Sequence, residues 1–318
     1  MALDASATRG GEIDSSIGTA FDGVTVDAGV GARRPPRLLL TLLGDYWWKR
    51  TESLPSAALV ALLGDFGVSD AAARAALSRL VRNGLLVISK DGRRTFHRLS
   101  DRAAAVLDDG AARIFSFGQS NPDWDGMWSV VTFSIPEHNR AARHLLREQL
   151  RWLGFAPLYD GVWISPRDRA ADATARLAEL GVDTATVFRA TTVTGMPSGG
   201  LPQRAWDLDY LRGEYAKFIS STRELRARTL AGTVSPSEAL AARTEVMNRW
   251  RGFPGVDPEL PHELLPDHWP RCAARELFIS TYDALGPLAE HRVRQVLARY
   301  TPDLAQLATH HRSDAALA

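Results

Sequence analysis

Residues 69–100 read SDAAARAALSRLVRNGLLVISKDGRRTFHRLS, and this stretch decides the fold of the first third of the chain. Ser69 is a good N-cap, because its hydroxyl can accept a hydrogen bond from a free backbone N–H in the first helical turn. Residues 70–83 then hold Ala73, Leu77, Leu80 and Val81 at helical spacing, and Gly84 supplies the left-handed residue that ends a helix. Two strand-like runs follow, 85–90 and 95–99. Asp91-Gly92 lies between them as the positive-φ pair of a tight hairpin turn.

Upstream, residues 37–44 predict a helix with Leu38, Leu39, Leu42 and Leu43 on its buried side. A second helix is expected after Pro55, carrying Leu59, Leu62 and Leu63. Three helices and a hairpin are the order of a winged helix-turn-helix. Ser100 is expected to cap one more short helix, 101–107, that leads out of the module.

Charge sets this module apart from the rest. The whole chain, 318 residues, carries a net charge of only +1, yet residues 37–100 hold ten basic side chains against five acidic ones. On the third helix Arg74, Ser78 and Arg82 follow at i, i+4 and i+8 opposite the apolar face, with Arg79 on its flank. Ala71 and Ala75, both small, would let the helix approach a groove closely. Lys90, Arg93 and Arg94 sit at the hairpin tip. A major-groove helix needs this division, because arginine can fork onto guanine or grip phosphate while the apolar side holds the core. The tip would meet backbone phosphates or the minor groove. The candidate DNA-binding residues are therefore Ser69, Arg74, Ser78, Arg79, Arg82, Lys90, Arg93 and Arg94.

Beyond residue 122 the pattern changes to β-α-β-β-α-β. Residues 128–135 form an apolar strand, and 139–153 an amphipathic helix with Ala142, Leu145, Leu146, Leu150 and Leu153 on one face. Short strands at 155–158 and 162–164 flank Asp160-Gly161. A helix at 170–180 and a strand at 184–190 close a unit of ferredoxin-like order. A Gly- and Pro-rich linker, 194–202, precedes an all-helical region with periodic runs at 208–230, 238–250 and 273–301. Between the last two, residues 253–270 are Pro-rich and expected as ordered turns.

The expected architecture is thus α+β and multidomain: a disordered tail at 1–36, a winged helix-turn-helix at 37–110, a ferredoxin-like domain at 122–195 and a helical C-terminal domain at 203–302. An apolar share of 45% and a charged share of 24% suit chains that bury a core. The single cysteine, Cys272, excludes an internal disulfide framework and fits the cytoplasm. No apolar run reaches the ~20 residues of a membrane span, and the first 34 residues lack the apolar stretch of a secretory signal. The last dozen residues read as loose.

Other chemistry finds little footing. His262, His268 and Cys272 share a stretch and His310-His311 form a pair, but no spacing matches a compact zinc pattern, so they are expected as loop or surface residues. There is no nucleophile elbow, and residues 195–200 lack the lysine and following helix of a phosphate loop. No catalytic residue, cofactor or metal is expected.

The chain resembles the PaaX-type transcriptional repressors, regulators of phenylacetic acid catabolism and related pathways, over about 260 residues from Arg37 to near Leu297, so a regulator of a different pathway is the alternative to a phenylacetate regulator. The likeness is carried by ARAALSRLVRNG at 73–84 and GRRTFHRLS at 92–100. It continues with the run Trp128 to Phe133, Pro136-Glu137, Gly154-Phe155 and GVWISP at 161–166. Further on it rests on Trp250-Arg251, Phe253-Pro254, Asp257-Pro258, Leu260-Pro261, Leu264-Leu265-Pro266 and Trp269-Pro270. The resemblance implies a homodimer that binds a palindromic operator and is released by an aryl-CoA thioester, typically phenylacetyl-CoA. Arg243, Arg249, Arg251, Arg271 and Arg275 lie near Trp250, Phe253 and Trp269 and could serve such an effector. Core tryptophans with structural ion pairs explain them as well, so no effector residue is assigned.

The central segment also resembles the small ferredoxin-like endoribonuclease of CRISPR systems, which holds a metal with an aspartate at the end of its first strand. Here Ser134 stands in that place and Glu137 lies past Pro136. A hydroxyl is a poor substitute for a carboxylate on a hard cation, so a dimerising or linking role is expected ahead of a metal-dependent nuclease.

Overall fold

The computed structural model describes residues 34–119, 123–136, 139–192 and 200–314. They form a mixed α+β structure with two small antiparallel sheets and a helical C-terminal region. Glu137, the tail through residue 33 and residues 194–199 of the expected linker lie outside the described residues.

The N-terminal segment runs α1 (Pro35–Tyr46), β1 (Leu54–Pro55), α2 (Ser56–Gly64), α3 (Asp70–Arg82), β2 (Leu86–Asp91) and β3 (Arg94–Leu99). The three strands pair in the order β1-β3-β2. Leu38, Leu39, Leu42, Leu43, Leu59, Leu62 and Leu63 are all buried, as the helical spacing requires. Asp91 pairs with Arg94, so the hairpin turn is Gly92-Arg93 rather than Asp91-Gly92. Only Gly92 has positive φ (54°), which the missing Cβ permits. The strands extend one residue nearer the tip than their hydrophobic pattern indicates.

Helix α4 (Asp101–Ser116) is more than twice the expected length. It continues through Gly110 because its far end is anchored: Phe115 is buried against Phe278 and Tyr282.

The central segment contains β4 (Trp128–Phe133), α5 (Arg140–Trp152), β5 (Ala156–Tyr159), β6 (Val162–Ser165), α6 (Ala170–Glu179) and β7 (Ala185–Ala190), with sheet order β5-β6-β4-β7. Alternation along the strands gives the sheet two apolar faces. Val131 and its cross-strand partner Trp163 pack with Leu146, Leu150, Ala173 and Leu177 of the two helices. Trp128 and Ile164, on the opposite face, pack with Leu208, Leu260 and Leu264 of the C-terminal region. Leu145, expected on the inner face of α5, points outward.

The C-terminal region holds α7 (Gly200–Ala205), α8 (Leu208–Leu230), α9 (Pro236–Trp250), 3-10 turns at Phe253–Gly255 and His262–Leu264, α10 (Arg271–Ala298) and α11 (Pro302–Ala305). A helix therefore does follow residues 195–200, and residues 200–202 belong to it rather than to a linker. Leu285, Ala289, Val293 and Leu297 of α10 join Leu39, Leu59 and Leu80 in one continuous apolar cluster. The N-terminal module and the last long helix thus share a core. Residues after α11 are not loose up to Ser313: the Thr309 and His311 N–H groups donate to the Tyr46 and Asp45 carbonyls at 3.2 and 2.7 Å. No described helix is long and apolar enough to cross a membrane.

Candidate nucleic-acid interface

Helix α3 is fixed at both ends by its own sequence. Ser69 Oγ accepts from the Ala72 N–H at 3.4 Å, and Asp70 places a negative charge at the positive end of the helix dipole. At the other end Gly84 adopts φ 68°, the Leu85 N–H reaches back to the Leu80 carbonyl at 2.9 Å, and Gly84 N–H to Val81 at 3.0 Å. This double closure is a Schellman motif, which glycine favours. Ala73, Ala76, Leu77 and Leu80 are buried, while Val81 is half-buried. Ala76 belongs to the inner face although the expected set omitted it.

The hairpin is tied rigidly to this helix. Ser100 Oγ donates to the Gly84 carbonyl at 2.7 Å and accepts from Ala103 N–H at 3.1 Å, while Ser100 N–H donates to Leu85 at 3.1 Å. One serine therefore joins the end of α3, the base of the hairpin and the start of α4. Beneath the sheet, His97 is buried with Nδ1 3.2 Å from Ser56 Oγ, and burial pushes its pKa below the usual value.

All eight expected contact residues are exposed on this frame. Ser69, Arg74, Ser78, Arg79 and Arg82 lie on or beside the outer surface of α3, and Lys90, Arg93 and Arg94 cluster at the hairpin tip. Arg74 has a loose contact with Asp70 at 3.8 Å between well-exposed groups, worth little in water. Arg94 has Asp91 as its cross-strand neighbour, whereas Lys90 faces Thr95. The surface thus offers guanidinium and ammonium donors that the fold itself does not consume.

The other arginines sort differently. Arg243 pairs with Asp45 (3.5 Å) and Arg271 with Asp257 (3.0 Å), all four side chains buried. Arg275 Nη2 donates to the Phe115 carbonyl at 3.0 Å, and Arg249 Nη1 to Ser221 Oγ at 2.5 Å. Trp250 and Phe253 are core residues that pack against each other and Phe218. Of the same group, Arg251 Nη1 donates to Thr41 Oγ1 at 2.8 Å.

No three metal-ligating side chains converge among the described residues. Cys272 is exposed, but the histidine pair is not a surface feature: His311 is buried and His310 Nδ1 lies 2.6 Å from Glu290. Ser134 is exposed, and its backbone carbonyl accepts from Thr184 Oγ1 at 2.7 Å.

Comparison with known proteins follows the same three segments. Residues 34–103 match the PaaX-like protein family, residues 121–201 the PaaX protein central Cas2-like domain, and residues 206–295 the PaaX-like protein C-terminal domain. The chain is 31% identical over 258 residues to the transcriptional repressor PaaX of Escherichia coli (strain K12), covering 79% of this chain and 80% of that one. Among solved structures, the uncharacterized protein Rv0674 from Mycobacterium tuberculosis shares the fold with a TM-score of 0.51 and 23% identity, over 84% of this chain and 99% of the other. This chain belongs to the PaaX-type family of transcriptional repressors.

Proposed function

We propose that the chain represses transcription by binding promoter DNA through residues 37–110 as a winged helix-turn-helix, with α3 in the major groove and the β2–β3 hairpin on the backbone. The observation that carries this reading is the exposed row Arg74, Ser78, Arg79 and Arg82 on a helix whose other face is locked into the core. The repressor relative in Escherichia coli supports it. The chain is on this reading a regulator and not an enzyme. It works where DNA is, in the cytoplasm.

Residues 122–195 are read as a ferredoxin-like domain, a reading supported by the antiparallel order β5-β6-β4-β7 and the match to the Cas2-like domain. Leu145 and Trp152, seven positions apart on α5, expose 43% and 79% of their surface, and such apolar side chains on one helix face suit the contact of a homodimer. Two reading heads related by a two-fold axis would take half-sites about one helical turn, or a multiple, apart. Residues 203–302 form the helical domain that carries the heads. Ser134 in place of a carboxylate, and the repressor relative, both weigh against a nuclease.

Induction is assigned to an aryl-CoA thioester, phenylacetyl-CoA, and the regulated genes to phenylacetate catabolism, on the strength of the family. Fluorescence anisotropy on the chain's own upstream DNA, beside a scrambled duplex, tests both halves. Specific binding released by phenylacetyl-CoA supports the reading. Equal affinity for both duplexes would remove the repressor role, and specific binding indifferent to the thioester would remove the inducer.

A further inference from the structure

Residues 1–32 hold five acidic side chains, Asp4, Glu12, Asp14, Asp22 and Asp27, and one basic one, Arg9. The sequence runs from this stretch through Arg33-Arg34 into α1, and α1 packs in the same apolar cluster as α3. At ~3.3–3.6 Å per residue, 32 residues span at most about 110 Å. Helix α3, with 13 residues, is about 20 Å long. The acidic stretch can therefore reach every part of the module to which it is tied.

One face of that module has the opposite sign. Arg74, Arg79 and Arg82 on α3 and Lys90, Arg93 and Arg94 at the hairpin tip are all exposed, with Asp70 and Asp91 as the carboxylates among them. The face and the acidic stretch thus each carry an excess of four charges, of opposite sign. Among the described residues, Arg79, Arg82, Lys90 and Arg93 have no side-chain hydrogen bond or ion pair. Surface arginines of the central segment differ: Arg169 has Asp172 at 3.0 Å and Arg176 has Glu179 at 2.6 Å. Unpaired cations gathered on one face raise a positive potential that favours a chain of anions.

We propose that residues 1–32 lie back over α3 and the hairpin tip while no DNA is bound, so that DNA must displace them. The occupant is part of the chain, and it competes at the effective concentration that its linkage sets. Its carboxylates meet the same guanidinium and ammonium groups that a phosphate backbone would meet. Such competition weakens binding to every duplex alike and leaves the ratio of operator to random affinity unchanged. The contact itself is independent of the repressor reading. Its consequence rests on that reading, because only there is this face the DNA surface.

The test uses the full chain with Asp4→Asn, Glu12→Gln, Asp14→Asn, Asp22→Asn and Asp27→Asn, which alters no residue of the module. By anisotropy at low salt this variant should bind a scrambled duplex about tenfold more tightly than the unaltered chain, as expected when four exposed ion pairs of modest strength need not be broken. The gap should close as salt rises, because the Debye length falls to ~3 Å at 1 M. A second measurement needs no DNA. The chain has three lysines, Lys49, Lys90 and Lys217, all exposed, and Lys90 is the one on this face. Carbodiimide crosslinking read by mass spectrometry should join Lys90, and neither of the others, to carboxylates of residues 4–27. Added duplex should suppress the link. No link at Lys90 overturns the proposal, as does equal linking of all three lysines, which would mean that the acidic residues act through net charge alone. Unchanged affinity in the neutralised variant overturns it too. A Lys90 link in a protein with no operator preference would sink the repressor reading and leave this contact standing.

Discussion

The Tyr282 hydroxyl donates to Asp45 Oδ1 at 2.7 Å, although 237 positions separate the two residues. Burial holds the Tyr282 pKa well above its ordinary value, so the phenol stays a donor. Arg243 Nη1 lies 3.5 Å from Asp45 Oδ2, and the tail reaches the Asp45 carbonyl through His311. Three C-terminal elements therefore converge on the last turn of α1. Asp45→Asn would leave Arg243 buried without its counter-charge and should cost about 3–5 kcal/mol. Tyr282→Phe removes one hydrogen bond to a charged group and should cost about 1.5–3 kcal/mol. Urea midpoints of both variants check the order. Equal losses would mean that the ion pair contributes nothing beyond the hydroxyl.

Gly286, inside α10, sits beneath the His310 ring. A Cβ at this position would lie 2.8 Å from His310 Nε2 and closer still to Cδ2. The ring cannot swing away cheaply, because its Nδ1 lies 2.6 Å from Glu290 and its backbone N–H donates to the same carboxylate at 2.9 Å. Gly286→Ala should therefore destabilise by about 1–3 kcal/mol, the cost of overpacking. Gly213→Ala, in α8, meets nothing within 4 Å and should instead gain up to about 1 kcal/mol of helix propensity. Opposite shifts in the thermal midpoint are the expected outcome. A stabilised Gly286→Ala would show that the tail does not dock there.

Much of this was legible locally. Ser69, Gly84 and Ser100 announced the limits of α3 and the start of α4, because caps act within a few residues of themselves. The outward arginines of α3 were legible for the same reason, since helical period alone fixes which side they take. What escaped was the result of long-range packing. Gly110 gave no sign that α4 runs on to Phe115, whose anchor is in α10. His311 looked like tail until paired with Asp45. Arg251 donates to Thr41 across 210 positions, and no window of sequence brings those two together.

Two buried histidines make stability depend on pH. Burial depresses the pKa of His97 and of His311 below 6.5, and for His311 the charges of Arg243 and Lys49 add to this against Asp45 and Asp283. A depressed folded-state pKa means that the unfolded chain binds the proton more readily. Stability from these groups is therefore complete above about pH 6.5 and is lost as the pH falls from there through the folded values. Thermal midpoints measured across this window should fall for the unaltered chain. They should fall less for a His97→Gln, His311→Gln double variant. Parallel curves would assign the acid sensitivity to other groups.

The α3 arginines and the hairpin cations are expected to fail in different ways. Arg79 lies on a helix flank that can meet base edges, so Arg79→Ala should cost about 1–3 kcal/mol on the operator and little on random DNA. Arg93 and Arg94 sit at a tip that meets phosphates, where each contact releases counterions. Replacing both by alanine should weaken binding to every sequence and flatten the salt dependence by about one unit of slope per lost contact. Arg94 has Asp91 across the strand, so Arg93 should account for the larger share. Titrations at several salt concentrations separate these cases. Equal loss on random DNA would reassign Arg79 to a phosphate, and an unchanged slope in the double variant would take the hairpin off the DNA.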